Sequence, residues 1–412
     1  MTDKGKCGLL IWWLNENANC LHKETKMLDK IISSLESFQE FLDSNFRQDD
    51  EEAVEILLML AYGHIFEIFT PNQLAEILGI DKNKVYGAIK SWSIFQFRRM
   101  FLLAGYQEVS SLLKDVLSKS PATLSRMRIT LCVDDTVVDR QGKLISLTYS
   151  WFSGRHKDIV KGQNIITITI KIGDRIIPLC IRPVSKQGRG NTSKPEIFRE
   201  MIHEVVELFK RNEIDLTQFP ITFDSWYGSI DLVRILREEG FDQIIIHTKS
   251  SYVFTIDGKR GNLSQHKKEI QLRDDVWGCK GIPVARKVAE SPTFGKVILL
   301  FFQDCSVIKC VMIFGRKLRA CEALSIWRQH NSIEQFWRRL KNDLQIHRIR
   351  LRGREGVYGM VAIKLLAYLV MEQLSAMTRL TFHQIKNYAK TQIDLCSFFR
   401  EHFHLCAIPQ RL

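Results

Sequence analysis

Within Leu324 to Leu344, LSIWRQHNSIEQFWRRLKNDL, the residues Trp327, His330, Glu334, Arg338 and Lys341 follow one another at steps of three, four, four and three. On an α-helix those steps place the five side chains in one stripe. The interleaved Ile326, Ile333, Phe336, Trp337 and Leu340 form a second, apolar stripe suited to a core. One acid among bases suits a carboxylate that binds a cation beside side chains that hold phosphate. A solvated helix face with stabilising Glu/Arg and Glu/Lys spacings has the same pattern. The choice between the two depends on what the rest of the chain brings to this helix.

Two further sets of acids stand where strands are expected to end. Ile129 to Val133 is an apolar strand followed by Asp134, Asp135 and Thr136, and Pro220 to Phe223 is another that stops at Asp224. Between them the pattern predicts strands over Leu144 to Trp151 and Asn164 to Ile172. Ile176 to Arg182 pairs back through a Gly173-Asp174 turn, and a helix over Pro195 to Asn212 opens with Ser193 and Glu196 as a capping box. Helix Ile230 to Glu239, ended by Gly240, leads to strand Gln243 to His247. This succession is an α/β sheet whose later strands are parallel. Open sheets of that kind bind ligands beyond the carboxyl ends of their strands. An aspartate at such an end is also a common turn or helix cap. Three carboxylates from separate elements, Asp134 or Asp135, Asp224 and Glu334, are a set that holds two Mg²⁺ ions, with Mn²⁺ the alternative, and presents them to phosphate oxygens. Asp134 is favoured over Asp135 because it directly follows the apolar strand; alternation alone leaves the pair open.

Ser251 to Arg319 reads as a β-rich insertion, with Phe294 to Gln303 and Val307 to Phe314 its clearest strands. It carries Lys259, Arg260, Lys267, Lys268, Arg286 and Lys287, and Arg348, Arg350, Arg352 and Arg354 follow the Glu334 helix. The formal net charge of the 412 residues is +13, which favours polyanionic partners. The first 117 residues are helical in pattern. Inside them Thr70 is an N-cap, Pro71 the first helical position and Gln73 a capping-box partner, and Gly79 allows a tight turn before a second helix over Lys82 to Trp92. This is a helix-turn-helix pattern, with Lys82, Asn83, Lys84, Tyr86 and Lys90 facing duplex DNA; a helical hairpin that touches no nucleic acid is the alternative. Ser118 to Ser125 reads as a linker. The ten cysteines contain no C-x-x-C pair and read as reduced thiols of a cytoplasmic protein. Val357 to Met371, interrupted by Lys364, is expected as a buried helix and not a membrane span.

The spacing around Glu334 resembles the signature of bacterial DDE transposases of the insertion-sequence-four family: Tyr, two residues, Arg, three residues, Glu, six residues, Lys. Here the four places hold Trp327, His330, Glu334 and Lys341. Asp224-Ser-Trp-Tyr-Gly looks like that family's second-acid motif and Asp134-Asp135-Thr136 like its first. The resemblance covers about residues 127 to 375. It implies an RNase H-like α/β core at 127–250 and 320–375, interrupted by the β-rich insertion at 251–319. An all-α N-terminal domain (1–117) with a helix-turn-helix at 70–92 and a C-terminal helical region (376–412) complete the division. It further implies metal-dependent cleavage and strand transfer by a homodimer on double-stranded DNA, with terminal repeats and target DNA as partners. Lys341, Arg338 and His330 would hold terminal phosphates; Trp327 replaces a phenol and His330 a permanent cation. Trp277 is either a stacking platform for a flipped base or a core residue. A decayed DNA-binding repressor and a nuclease that cuts without joining are the competing functions.

Overall fold

The computed structural model describes residues 27–46, 51–117, 129–140, 145–154, 156–184, 186–187, 190–191, 194–225, 228–276, 279, 281–315, 318–348 and 351–404. The linker expected at Ser118 to Ser125, Ser193, Trp226, Tyr227, Trp277 and Arg350 lie outside the described residues. The chain forms two compact units, residues 1–100 with 340–412, and residues 101–339. The N-terminal and C-terminal helices therefore share one unit.

In the first unit, helix α1 spans residues 27–46. Helix α2 (Glu51–Gly63) is buried from Ala53 onward except at Glu55. Helices α3 (Pro71–Leu78) and α4 (Lys82–Ser91) have the boundaries that the punctuation dictates. The Thr70 hydroxyl accepts from Gln73 N at 3.3 Å, and Gly79, at φ 66°, closes α3 in the left-handed region that glycine adopts without strain. Leu74, Ala75, Val85, Ala88 and Ile89 face inward. Helix α5 (Ile94–Leu117) begins in this unit and continues into the second.

The second unit is built on one sheet, eleven-stranded among the described residues. Strands β1 (Ile129–Asp139), β2 (Tyr149–Ser153), β3 (Asp158–Ile172) and β4 (Arg175–Pro183) are antiparallel neighbours. Helix α6 (Lys194–Arg211) leads to β5 (Ile221–Phe223), and helix α7 (Ile230–Glu238) to β6 (Gln243–His247). Strands β1, β5 and β6 are parallel. The segment expected as an insertion supplies β7 (Val253–Ile256), β8 (Lys259–Asn262), α8 (Leu263–Glu269), β9 (Val284–Ser291), β10 (Gly295–Asp304) and β11 (Val307–Gly315). These strands extend the same sheet, since β11 pairs antiparallel with β6. Alternation predicts β3 with isoleucines inside and threonines outside; instead both faces are covered. The buried Thr167 and Thr169 hydroxyls donate to Cys180 O at 3.0 Å and Cys132 O at 3.3 Å, which satisfies them in the interior.

Helix α9 (Ala320–Asn342) follows β11, and its last turn belongs to the first unit. That unit closes with α10 (Arg354–Thr378), α11 (Phe382–Gln392) and α12 (Leu395–His402). Helix α10 is long and apolar enough to cross a membrane, yet its residues are largely buried within the unit. Lys364, fully buried in it, donates to Leu344 O at 2.8 Å and lies 3.1 Å from His64 Nε2. His64 Nδ1 is 2.6 Å from Leu60 O, and burial first, then the Lys364 charge, holds the His64 imidazole well below its usual range. A neutral ring that donates from Nδ1 and accepts at Nε2 satisfies the buried ammonium.

Candidate active site

The ladder between β1 and β5 ends at the pair Val133 and Phe223, so the next residues, Asp134 and Asp224, leave it side by side. Strand β1 itself does not stop there: it continues to Asp139 along β3. The expected strand end is thus the end of the parallel ladder, while the strand runs on past both aspartates.

Which of the two aspartates joins Asp224 follows from the faces of β1. Cys132 lies against α9, with its Sγ 3.7 Å from Gln329 O and 3.9 Å from Ser332 Oγ. Asp134, two residues on, shares that face. Burial first, then the charges of Asp135, Asp224 and Glu334, push the Asp134 carboxyl well above its usual range. Asp135 turns to the opposite face, where it accepts from Asn164 Nδ2 and pairs with Lys194 Nζ at 2.8 Å. One acid is left among like charges and the other is neutralised.

Asp224 is held down to about 2, chiefly by His247, whose Nδ1 lies 3.6 Å from its Oδ1, against the opposing effect of burial. Ser225 N also donates to Oδ1, at 2.5 Å. His247 ends β6 and lies over the Trp327 ring, centroids 6.5 Å apart. A titratable residue at the end of a predicted parallel strand is the signal that identifies His247 from sequence. Lys194, the partner of Asp135, has no such signal.

The stripe on α9 does not face one environment. Glu334 and Arg338 are exposed, but Trp327 is only 8% exposed and packs on Phe302, 4.6 Å between centroids, with Lys309 Nζ 5.1 Å above it. The first turns of α9 rest on Val311 and Ile313, so this part of the stripe belongs to the core. His330 is also drawn inward. Its Nδ1 is buried without a hydrogen-bond partner among the described residues, and burial pushes the ring down to about 4 despite the Asp224 charge. A phosphate clamp at His330 requires the protonated ring, whereas burial favours the neutral one. Lys341 lies half-buried in the last turn of α9, in the first unit.

An imidazole whose neutral form is favoured by burial gives stability a pH dependence. Its folded value lies below that of a free histidine, near 6.5. Its contribution is complete above that pH and is lost as pH falls through about 4. Melting temperatures measured from pH 7 to 4 should fall less for His330→Gln than for the wild type. Equal slopes would contradict the burial argument. His330→Arg should melt lower at neutral pH, because a charge then takes a buried place.

In the first unit Lys82, Asn83, Lys84 and Lys90 are exposed along α4. Lys84 pairs with Glu52 at 3.1 Å. Tyr86, expected to face DNA, uses its hydroxyl to donate to Asn72 Oδ1 at 2.9 Å, which ties α4 to α3. In the second, Lys259 pairs with Glu269 and Lys287 with Asp257, so part of the basic charge of β7 to β9 is locally balanced. The described cysteines are free thiols, as their spacing predicts.

Among the described residues no group of three or more His, Cys, Asp or Glu side chains is drawn together closely enough to hold a metal ion. The donor chemistry nevertheless fits a hard divalent cation. Asp134, Asp224 and Glu334 are oxygen donors, the charges of the latter two reach Asp134, and a cation would relieve that repulsion. Residues 128–370 match the family model described as a transposase DDE domain. No curated protein matches the chain.

Proposed function

The chain belongs to the transposase DDE domain family, and from that premise we propose that it cuts and rejoins DNA as the metal-dependent transposase of an insertion sequence. The observation that carries this reading is the end of the parallel ladder, which sets Asp134 beside Asp224 while the charge of Glu334 reaches Asp134. An antiparallel meander, two parallel strands and a β-rich segment before the Glu334 helix support the RNase H-like core with insertion implied by the insertion-sequence-four resemblance.

Asp134, Asp224 and Glu334 would hold Mg²⁺, or Mn²⁺, and the bound ions would activate a water or DNA 3′-hydroxyl and neutralise the leaving oxygen. Within the protein, His247 and Ser225 N keep the Asp224 carboxylate ionised and oriented. Lys194 withdraws Asp135 from the site, leaving Asp134 as the ligand on β1. Exposed Arg338 lies one helical turn beyond Glu334, where it meets phosphate more readily than the buried Trp327 and the half-buried His330. Helix α4 binds duplex DNA through Lys82 and Lys90, and the element ends are held by a homodimer.

The test uses pre-cleaved duplex ends carrying the inverted repeat that flanks the coding sequence, a supercoiled plasmid target and Mg²⁺. Joined products are expected. Cutting of uncleaved ends without joining would indicate a nuclease. End binding with neither reaction would indicate a repressor.

A further inference from the structure

Helix α4 contains a glycine that its own unit does not require. Gly87 lies mid-helix in Lys82–Ser91, where glycine weakens a helix relative to alanine through backbone entropy. Other described helices place glycine where packing leaves no room. A Cβ on Gly105 would stand 2.6 Å from Pro178 O, and one on Gly359 2.8 Å from Ile89 Cγ2. A Cβ on Gly87 would meet no atom within 4 Å. Its backbone is also outside the positive-φ region. Space and conformation both permit alanine.

The surface around Gly87 points to what does require glycine. Asn83, Gly87 and Lys90, and likewise Lys84, Gly87 and Ser91, follow helical spacing, so Gly87 is the centre of an exposed face. Val85, Ala88 and Ile89 on the other side hold the helix to the unit. Lys82 and Lys90 have no ion-pair partner among the described residues. Lys84 and Lys90 border this face, Lys82 stands at the start of the helix, and the middle of the face is bare. The DNA major groove admits an α-helix, phosphate contacts set its position, and base edges specify sequence. We propose that Gly87 is the point of closest approach of α4 to duplex DNA. Lys82 and Lys90 then meet phosphates, and the bare backbone at Gly87 lets Asn83 and Lys84 reach base edges. A side chain at Gly87 would hold the helix off the groove. The inference rests on the reading of α4 as the DNA-facing helix.

The experiment compares the full chain with its Gly87→Ala, Gly87→Gln, Lys82→Ala and Lys90→Ala variants. Each is melted thermally and titrated onto two labelled duplexes: one enriched from a random pool by the wild type, the other of mixed sequence and equal length. Gly87→Ala should melt about 2–4 °C higher yet bind the enriched duplex about tenfold or more weakly, with Gly87→Gln weaker still. Each lysine variant should weaken both duplexes and lower the salt slope by about one. Gly87→Ala binding within twofold of the wild type, beside weakened lysine variants, would overturn the close approach and leave α4 as a DNA-facing helix. Lysine variants that bind both duplexes normally would overturn that reading and the inference together. A lower melting temperature for Gly87→Ala would place the glycine's role in the fold and also overturn the inference.

Discussion

Asp134→Asn is expected to abolish DNA cleavage while leaving the protein as stable as the wild type or more so, and Asp135→Asn should retain most activity but melt lower. Asp134 is half-buried, and its desolvation together with the charges of Asp135, Asp224 and Glu334 disfavours its ionised form in the folded chain. A carboxyl pushed up on folding reduces stability at any pH above its unfolded value, and an isosteric amide removes that penalty. Asp135 has the opposite energetics. It accepts from Asn164, a buried residue whose Oδ1 already lacks a partner, and it neutralises Lys194. Weakening those contacts should cost about 1–3 kcal/mol. Thermal melts and cleavage assays on the two variants decide the matter. A pattern in which Asp135→Asn is inactive and Asp134→Asn active would reverse the assignment.

How much of this was legible in the chain depended on which physical signal carried it. Local signals gave boundaries well: the Thr70 cap, the Gly79 turn and the periodicity from Leu324 to Leu344 place α3, α4 and α9 close to where they are found. The strand-end rule located Asp134 and Asp224, although β1 continues past its aspartate. Periodicity reports which residues share a face, but not what covers that face. Trp327 and His330 share a stripe with Glu334, and only the packing around α9 decides that Trp327 is buried and that His330 turns its Nδ1 inward. For the same reason the sequence left Asp134 and Asp135 open. Their environments are set by Cys132 against α9 and by Lys194, which are distant along the chain. The union of N-terminal and C-terminal helices depends on equally remote contacts, such as Lys364 with His64 and Leu344.

Asp224→Ala and Glu334→Ala are each expected to lower cleavage by on the order of a thousandfold or more, since each removes a ligand from ions that supply several kcal/mol of transition-state stabilisation. DNA binding should persist in both, because the exposed lysines of α4 lie on other elements. Stability should change little in Glu334→Ala, whose carboxylate is exposed. Loss of activity alone has several causes, whereas loss of a bound ion has few. Titrating Mn²⁺ into the DNA-free protein by calorimetry therefore tests the carboxylate site most directly. Binding by the wild type that is lost or strongly weakened in both variants is the predicted result. Binding that is unchanged by Asp224→Ala and Glu334→Ala would contradict a site built from Asp134, Asp224 and Glu334.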